Sequence, residues 1–294
     1  MSQELEEKCL WDAATPAHLE YFGFALIDVG WDDPSDTQAK VNYLDEVARF
    51  SNLADMLVAE PNDRIEARLD AFAAVNVKAV IHLNYLLFEQ VGTNAPSGAD
   101  FDLRGDFRQR WDAFVKLNKR QHEIAALYIG EEPTWNGVAF EELREVADYL
   151  KASLPETKLM LVEAFPALRS LIVPKTIDWV GFDHYFISDI EHDAAFQAEL
   201  NLLKKKRSAD HQRIILIPDA HFIPEVHRHF GVTRDKMVGI ADAYCRIAAE
   251  DEDVIGLMAY FWPGGFDDPT ALGTRQMSDV KNQYRKIGRR ITGK

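Results

Sequence analysis

Cysteine is almost missing from this chain. Two occur in 294 residues, Cys9 and Cys245. They allow one disulfide at most, and their spacing does not say whether they pair. No Cys-x-x-Cys is present, which argues against a structural zinc site. No Gly-x-Gly-x-x-Gly follows the first apolar run and no Gly-Lys-Ser/Thr occurs, so dinucleotide and phosphate-loop folds are disfavoured. No uninterrupted apolar run approaches the ~20 residues needed to span a bilayer. The opening residues, Met1 to Lys8, are acidic and polar. They lack the basic region and apolar core of a secretory leader. The expectation is a cytoplasmic protein, or a secreted or periplasmic one whose leader has been removed. Positive charge is also scarce: Lys+Arg is 33 against Asp+Glu 48, a net charge of -15. A general field of that sign is wrong for nucleic acid or an anionic membrane, so a small or neutral partner is expected.

What the chain does have is apolar sequence, 47% of it, in an ordered pattern. Eight runs suited to buried strands each end in a polar cluster. They begin at Tyr21, Leu53, Val77, Ile124, Lys158, Ile177, Arg213 and Val254. Between most of them lies a segment with helical spacing, at about 38–50, 62–74, 107–123, 138–153, 193–206 and 235–250; a last helix is expected at 278–291. In 138–153 the apolar residues Leu143, Val146, Ala147 and Leu150 form one face. A polar entry of about 20 residues precedes the first strand, with a helical turn near Glu4 to Trp11. The segment from Glu89 to Gly105 reads as a long loop, the kind that often carries function. Strands alternating with helices imply a parallel sheet covered by helices. Eight such units in 294 residues point to a single (β/α)8 TIM barrel spanning the whole chain, with a doubly wound open sheet as runner-up.

In such a barrel the carboxyl ends of the strands converge on one face, and chemistry sits there. The residues at those ends are Asp28, Glu60, His82, Asn84, Glu131, Glu132, Glu163, Asp183, His184, Tyr185, Asp219, His221 and Trp262. The set is rich in carboxylates and aromatics. Crowded carboxylates raise one another's pKa, which suits acid/base work near neutrality. A carboxylic acid to protonate a leaving oxygen, a second carboxylate across the bond, and flat rings to stack on a sugar are what glycosidic cleavage needs. Trp135, Tyr185 and Trp262 supply such rings.

The stretch Gly130-Glu-Glu-Pro133, after an apolar strand, resembles the retaining (β/α)8-barrel glycosidases. That clan places a general acid/base Glu after strand four, usually within Asn-Glu-Pro, and a nucleophilic Glu after strand seven. Asp178-Trp-Val-Gly-Phe-Asp-His-Tyr185 looks like the clan's sixth strand, and Trp262 fits its sugar platform after strand eight. The resemblance implies Glu132 as acid/base and Asp219 as nucleophile or base. Glu131, Glu163, Asp183, His184, Tyr185, His221, Trp262, Asn84, Trp135 and Asp28 would then bind the substrate. It implies an oligo- or polysaccharide as the partner and no cofactor or metal. Two positions depart from the clan. Glu131 stands where Asn is usual, and Asp219 is one methylene shorter than Glu. The shorter side chain widens the carboxylate gap by ~1.5 Å, away from the ~5–5.5 Å of retaining enzymes and toward the ~6.5–9.5 Å of inverting ones.

Two other readings stay open from the residues. One is a carbohydrate-binding barrel that has lost catalysis. The other is a metal-dependent barrel hydrolase or isomerase, with Asp183, His184, Asp219, His221 and Glu132 as candidate ligands. The first strand lacks the His-x-His common in such hydrolases.

Overall fold

The computed structural model describes residues 15–120 and 123–294. Cys9 and the expected turn at Glu4 to Trp11 lie outside the described residues. Among the described residues ten strands run in chain order: β1 (Tyr21–Asp28), β2 (Leu53–Leu57), β3 (Lys78–His82), β4 (Phe88–Gly92), β5 (Asp100–Leu103), β6 (Ala126–Glu131), β7 (Leu159–Ala164), β8 (Trp179–Asp183), β9 (Arg213–Ile217) and β10 (Val254–Ala259). Eight of them close into a barrel in the order β1-β10-β9-β8-β7-β6-β3-β2, while β4 and β5 pair as a separate antiparallel hairpin. All barrel neighbours are parallel. The (β/α)8 expectation therefore holds. Among the described residues no helix is long and apolar enough to cross a membrane.

Strand alternation divides the apolar side chains into two layers. Leu53, Val80, Tyr128, Met160, Val162, Trp179, Ile215, Ile217 and Met258 fill the barrel interior. Tyr21 meets Trp179 at 4.9 Å between ring centroids at its base. The alternate residues, such as Phe24, Met56, Ile81, Leu127, Leu161 and Leu216, pack outward against the helices. Those helices include the one at Phe140–Ser153, whose Leu143, Val146, Ala147 and Leu150 are all buried as their spacing requires. Gly181 lets β8 lie close to β7, since a Cβ there would meet Val162 Cγ2 at 2.5 Å.

Three segments differ from the sequence expectation, each for a local reason. Of the helix expected at 38–50, only Leu44–Val47 is helical. The backbone N–H groups of Gln38 and Lys40 are taken by the Asp36 and Asp32 carboxylates instead, an alternative that short acidic side chains offer the backbone. The helix from Phe107 ends at Leu117. There Asn118 turns extended and its amide bonds Ile65, Asp63 and Phe114. The long loop from Glu89 to Gly105 is largely the β4–β5 hairpin. It docks on the segment after β6: Phe101 N–H donates to Asn136 O at 2.9 Å and Ser97 N–H to Trp135 O at 3.3 Å.

Candidate functional site

The carboxyl ends of the barrel strands surround a cavity of about 610 Å³. Its ionisable lining is Asp55, His82, Glu131, Glu132, Asp183 and Asp267; its aromatic lining is Trp31, Tyr85, Phe101, Tyr128, Trp135, Tyr185, Tyr260 and Phe266. Rings therefore wall a floor of carboxyl groups. Tyr185 and Tyr260 stack at 5.5 Å with 12° between their planes. Trp31 and Phe266 meet edge to face at 5.0 Å.

Glu132 is the central group. Its backbone φ is 46°, a left-handed conformation that a non-glycine residue adopts only when its surroundings impose it. Those surroundings are visible. Glu132 N–H donates to Val162 O at 2.8 Å, and Glu132 O accepts from Asn136 N–H at 2.8 Å. Behind the loop Glu163 accepts from the N–H groups of Thr134 at 2.9 Å and Trp135 at 3.3 Å. The other left-handed non-glycine residues include Leu26, in the cavity wall, and Phe186, next to Tyr185. Strain thus gathers around the cavity.

Electrostatics at the floor follow from burial. Burial, then the negative charge of Asp183 and Glu131, raises the Glu132 pKa, and a hydrogen bond joins the Glu132 and Asp183 carboxyls. Asp183 is raised too, by burial first. Two buried carboxyls in hydrogen-bond contact do not both ionise, so the pair keeps one proton through neutral pH. Glu131 is the opposite case. Burial alone would raise it, but His82, 3.1 Å away, outweighs burial and holds it below its ordinary value. Burial works against the charged form of His82, yet the Glu131 carboxylate raises its pKa. Tyr128 stacks on the His82 ring at 4.4 Å. Asp55 accepts from Ile27 N–H at 2.8 Å, but burial pushes its pKa up to about 6.

Seven of the residues singled out from the sequence meet in this cavity: His82, Asn84, Glu131, Glu132, Trp135, Asp183 and Tyr185. The other seven do not line it, and one-residue alternation explains two of them, Glu163 and His184. Glu163 is the outward neighbour of the cavity-lining Val162, and its carboxylate holds the loop after β6. His184 is the outward neighbour of Asp183; it bonds Glu199 at 2.6 Å and stacks on Phe165 at 3.6 Å. Trp262, expected as a sugar platform, is fully buried in the core. It packs on Phe24 at 4.8 Å and donates Nε1–H to Glu46 at 2.7 Å. Asp28 pairs with Arg68 at 2.7 Å.

Asp219, expected across the cleft from Glu132, is 2% exposed and turned aside. It accepts from Phe186 N–H at 2.9 Å and lies 3.3 Å from both His221 and His227. Pro218 carries the chain out of β9, and the carboxylate is captured by the left-handed turn at Phe186 before it reaches the cavity. His221 is held in the same buried network, with Nδ1 3.2 Å from Tyr260 O. Glu60 pairs with Arg110 at 3.1 Å, away from the cavity.

Among the described residues Asp219, His221 and His227 form a group whose donor atoms lie within 4.8 Å of one another. The hydrogen bonds just given, with Ile223 N–H to His227 Nδ1 at 2.9 Å, account for the cluster as a hydrogen-bonded support whose rings meet Tyr185 and Phe186.

Sequence reasoning missed Asp55, Tyr128, Tyr260, Asp267 and the hairpin's Gln90 and Phe101 as cavity residues. For Asp55 a signal existed: a carboxylate inside the apolar run Leu53-Ala-Asp-Met-Leu57, at an inward position. For Asp267 none did, because it sits in a loop and reaches the rim through its bond to the Tyr260 hydroxyl, 3.0 Å.

Solved structures of known proteins share this architecture. Xylanase 10B from Thermotoga petrophila RKU-1, crystallised with xylobiose, is 12% identical with a TM-score of 0.54; the match covers 92% of this chain and 95% of that one. The fold is that of the barrel glycosidases. A GH113 β-1,4-mannanase matches with 10% identity, a TM-score of 0.55, and coverage of 91% and 99%. Saccharomyces cerevisiae Gas2p, in complex with laminaritriose and laminaritetraose, matches with 10% identity, a TM-score of 0.57, and coverage of 92% and 65%. No protein-family model and no curated protein sequence matches this chain.

Proposed function

We propose that this chain is a barrel glycosidase that cleaves O-glycosidic bonds of an oligo- or polysaccharide, with Glu132 as the general acid. The observation that carries the reading is the pair of neighbouring buried carboxyls, Glu132 and Asp183, on the floor of an aromatic-walled cavity, where burial and the Asp183 charge hold the Glu132 pKa up. A carboxylic acid that stays protonated at neutral pH is what a leaving glycosidic oxygen requires. As the bond breaks, Glu132 gives its proton to that oxygen, and the positive charge growing on the sugar ring needs a fixed anion nearby. Glu131, kept ionised beside His82, is that anion. Glu132, then a carboxylate, takes a proton from the incoming water. Tyr185 and Trp135 stack on the sugar, and Asn84 positions Glu131 through the bond from Glu131 N–H to Asn84 Oδ1, 3.4 Å. In this scheme Asp219 is a positioning residue. Its carboxylate fixes the Phe186 turn and hence Tyr185.

A second reading, a sugar-binding barrel without turnover, is favoured by one observation: the end of β9 offers the cavity no carboxylate. One experiment separates the two. The protein is incubated with xylo-, manno- and laminari-oligosaccharides, and both cleavage and binding are followed, for the wild type and Glu132→Gln. The enzyme reading expects cleavage of at least one series and a loss of ~10²–10⁴-fold in kcat for the variant, with binding retained. Binding without cleavage by the wild type selects the second reading. Cleavage undiminished in Glu132→Gln sinks the acid assignment.

A further inference from the structure

A site that tells sugars apart by charge must do so with the ionisable groups that face it. Among the described residues the cavity is lined by five carboxyl groups, Asp55, Glu131, Glu132, Asp183 and Asp267, and by one basic group, His82. No lysine or arginine lines it. Outside the cavity the pattern is different. Asp28 has Arg68, Glu60 has Arg110 and Asp33 has Arg275. Inside, even with one proton shared by Glu132 and Asp183 and with His82 charged, the sum stays negative at neutral pH. A concave site with such walls concentrates its field on whatever enters.

The hydrogen-bonding inventory points the same way. His82 is 9% exposed, and its Nε2 has no aligned hydrogen-bond partner. Glu131 is 3.1 Å from that atom but off its axis, since the pair forms no hydrogen bond by geometry. That atom is itself buried beside Glu131, so His82 serves to keep Glu131 charged and leaves the ligand to the carboxyl groups. Carboxylate oxygens want donors, and among the described residues those of Asp267 receive the Tyr260 hydroxyl alone. An ammonium group offers three donors and a full charge. The complement of this cavity is a polyhydroxylated ring that carries a cation.

We infer that the cavity takes a sugar with a free amino group, a glucosamine-type residue, in preference to a neutral sugar of the same size, and that it excludes uronic acids. The inference rests on the carbohydrate reading of the same cavity. The rim carboxylate Asp267 receives the ammonium, and the wall carboxylate Asp55 adds to the negative field that it meets. Charge-assisted bonds of this kind are roughly twice as strong as neutral ones.

The test is calorimetric titration at about pH 7, where the Asp55 carboxyl, with its pKa of about 6, is ionised and an amine still holds most of its proton. Four tetramers are compared: glucosamine, N-acetylglucosamine, neutral glucose and galacturonate. Spermidine serves as a cation without a sugar ring. The glucosamine tetramer is expected to bind at least about tenfold more tightly than the glucose tetramer, the value of one charge-assisted bond. The N-acetylated tetramer should lose that advantage and the galacturonate tetramer should not bind. Asp267→Asn and Asp55→Asn should each narrow the ratio between the glucosamine and glucose tetramers several-fold. Equal or tighter binding of the glucose tetramer overturns this inference and leaves the carbohydrate reading standing. Spermidine matching the glucosamine tetramer also overturns it, because charge alone would then be recognised. Failure of every tetramer to bind removes the carbohydrate reading and this inference with it.

Discussion

Replacing Asp55 with asparagine should stabilise the protein at neutral pH and remove a pH dependence that the wild type carries. Asp55 lies in β2, 3% exposed, and burial raises its pKa from 3.8 to about 6 despite the Ile27 N–H bond and the nearby His82. A carboxyl whose folded pKa exceeds its unfolded one binds more protons in the folded state between the two values. Stability from this group therefore falls as pH rises from about 4 to about 6, and the loss is complete above the folded pKa. Roughly two pK units at ~1.36 kcal/mol each give a penalty of about 3 kcal/mol at pH 7. Asparagine keeps an oxygen for the Ile27 N–H and has no charge to desolvate. Removing Asp55 also withdraws part of the field that raises His82, a smaller effect of opposite sign. Urea denaturation of wild type and Asp55→Asn at about pH 4, 5, 6 and 7 measures the difference. It should grow in favour of the variant by about 3 kcal/mol across that range. A difference that stays flat or shrinks with pH would refute the reasoning from burial.

Other changes have distinct signatures. Asp183→Asn removes the negative neighbour and the hydrogen bond that raise Glu132, so the alkaline limb of any pH–rate profile should move toward acid; an unmoved limb means Asp183 does not tune the acid. Glu163→Ala strips the N–H groups of Thr134 and Trp135 of their acceptor. It should cost ~1–3 kcal/mol and speed hydrogen exchange in the loop 132–137, and unchanged exchange there would deny it the loop-holding role. Trp262→Ala should cost ~3–5 kcal/mol in denaturation with ligand affinity unchanged in the protein that remains folded, since Trp262 belongs to the core and not to the cavity. A selective loss of sugar affinity would restore it as a platform.

The barrel was legible in the sequence because its signal is local and repeated. Eight apolar runs, each capped by polar residues and mostly separated by helical spacing, leave few architectures that bury them all. Glu132 was legible for a similar reason: an apolar strand cut off by Pro133 puts its last carboxylates at a strand end. Which strand-end residues face inward was not legible to the same degree. A strand shows opposite faces at successive residues, and the sequence does not print where the alternation starts. Asp183 and Tyr185 point into the cavity while His184 between them meets Glu199 and Phe165. Glu163 falls behind Val162 by the same rule. The fate of Asp219 needed the fold itself, because its partners Phe186, His221 and His227 come from two different connections. The shared proton of Glu132 and Asp183 joins residues 51 positions apart, from the fourth and sixth barrel strands. Local composition decided that a carboxylate-rich barrel would form. Only the closure of that barrel decided which carboxylates share a proton, which hold a loop, and which are left to face a ligand, because pKa and orientation depend on neighbours that the chain brings together from a distance.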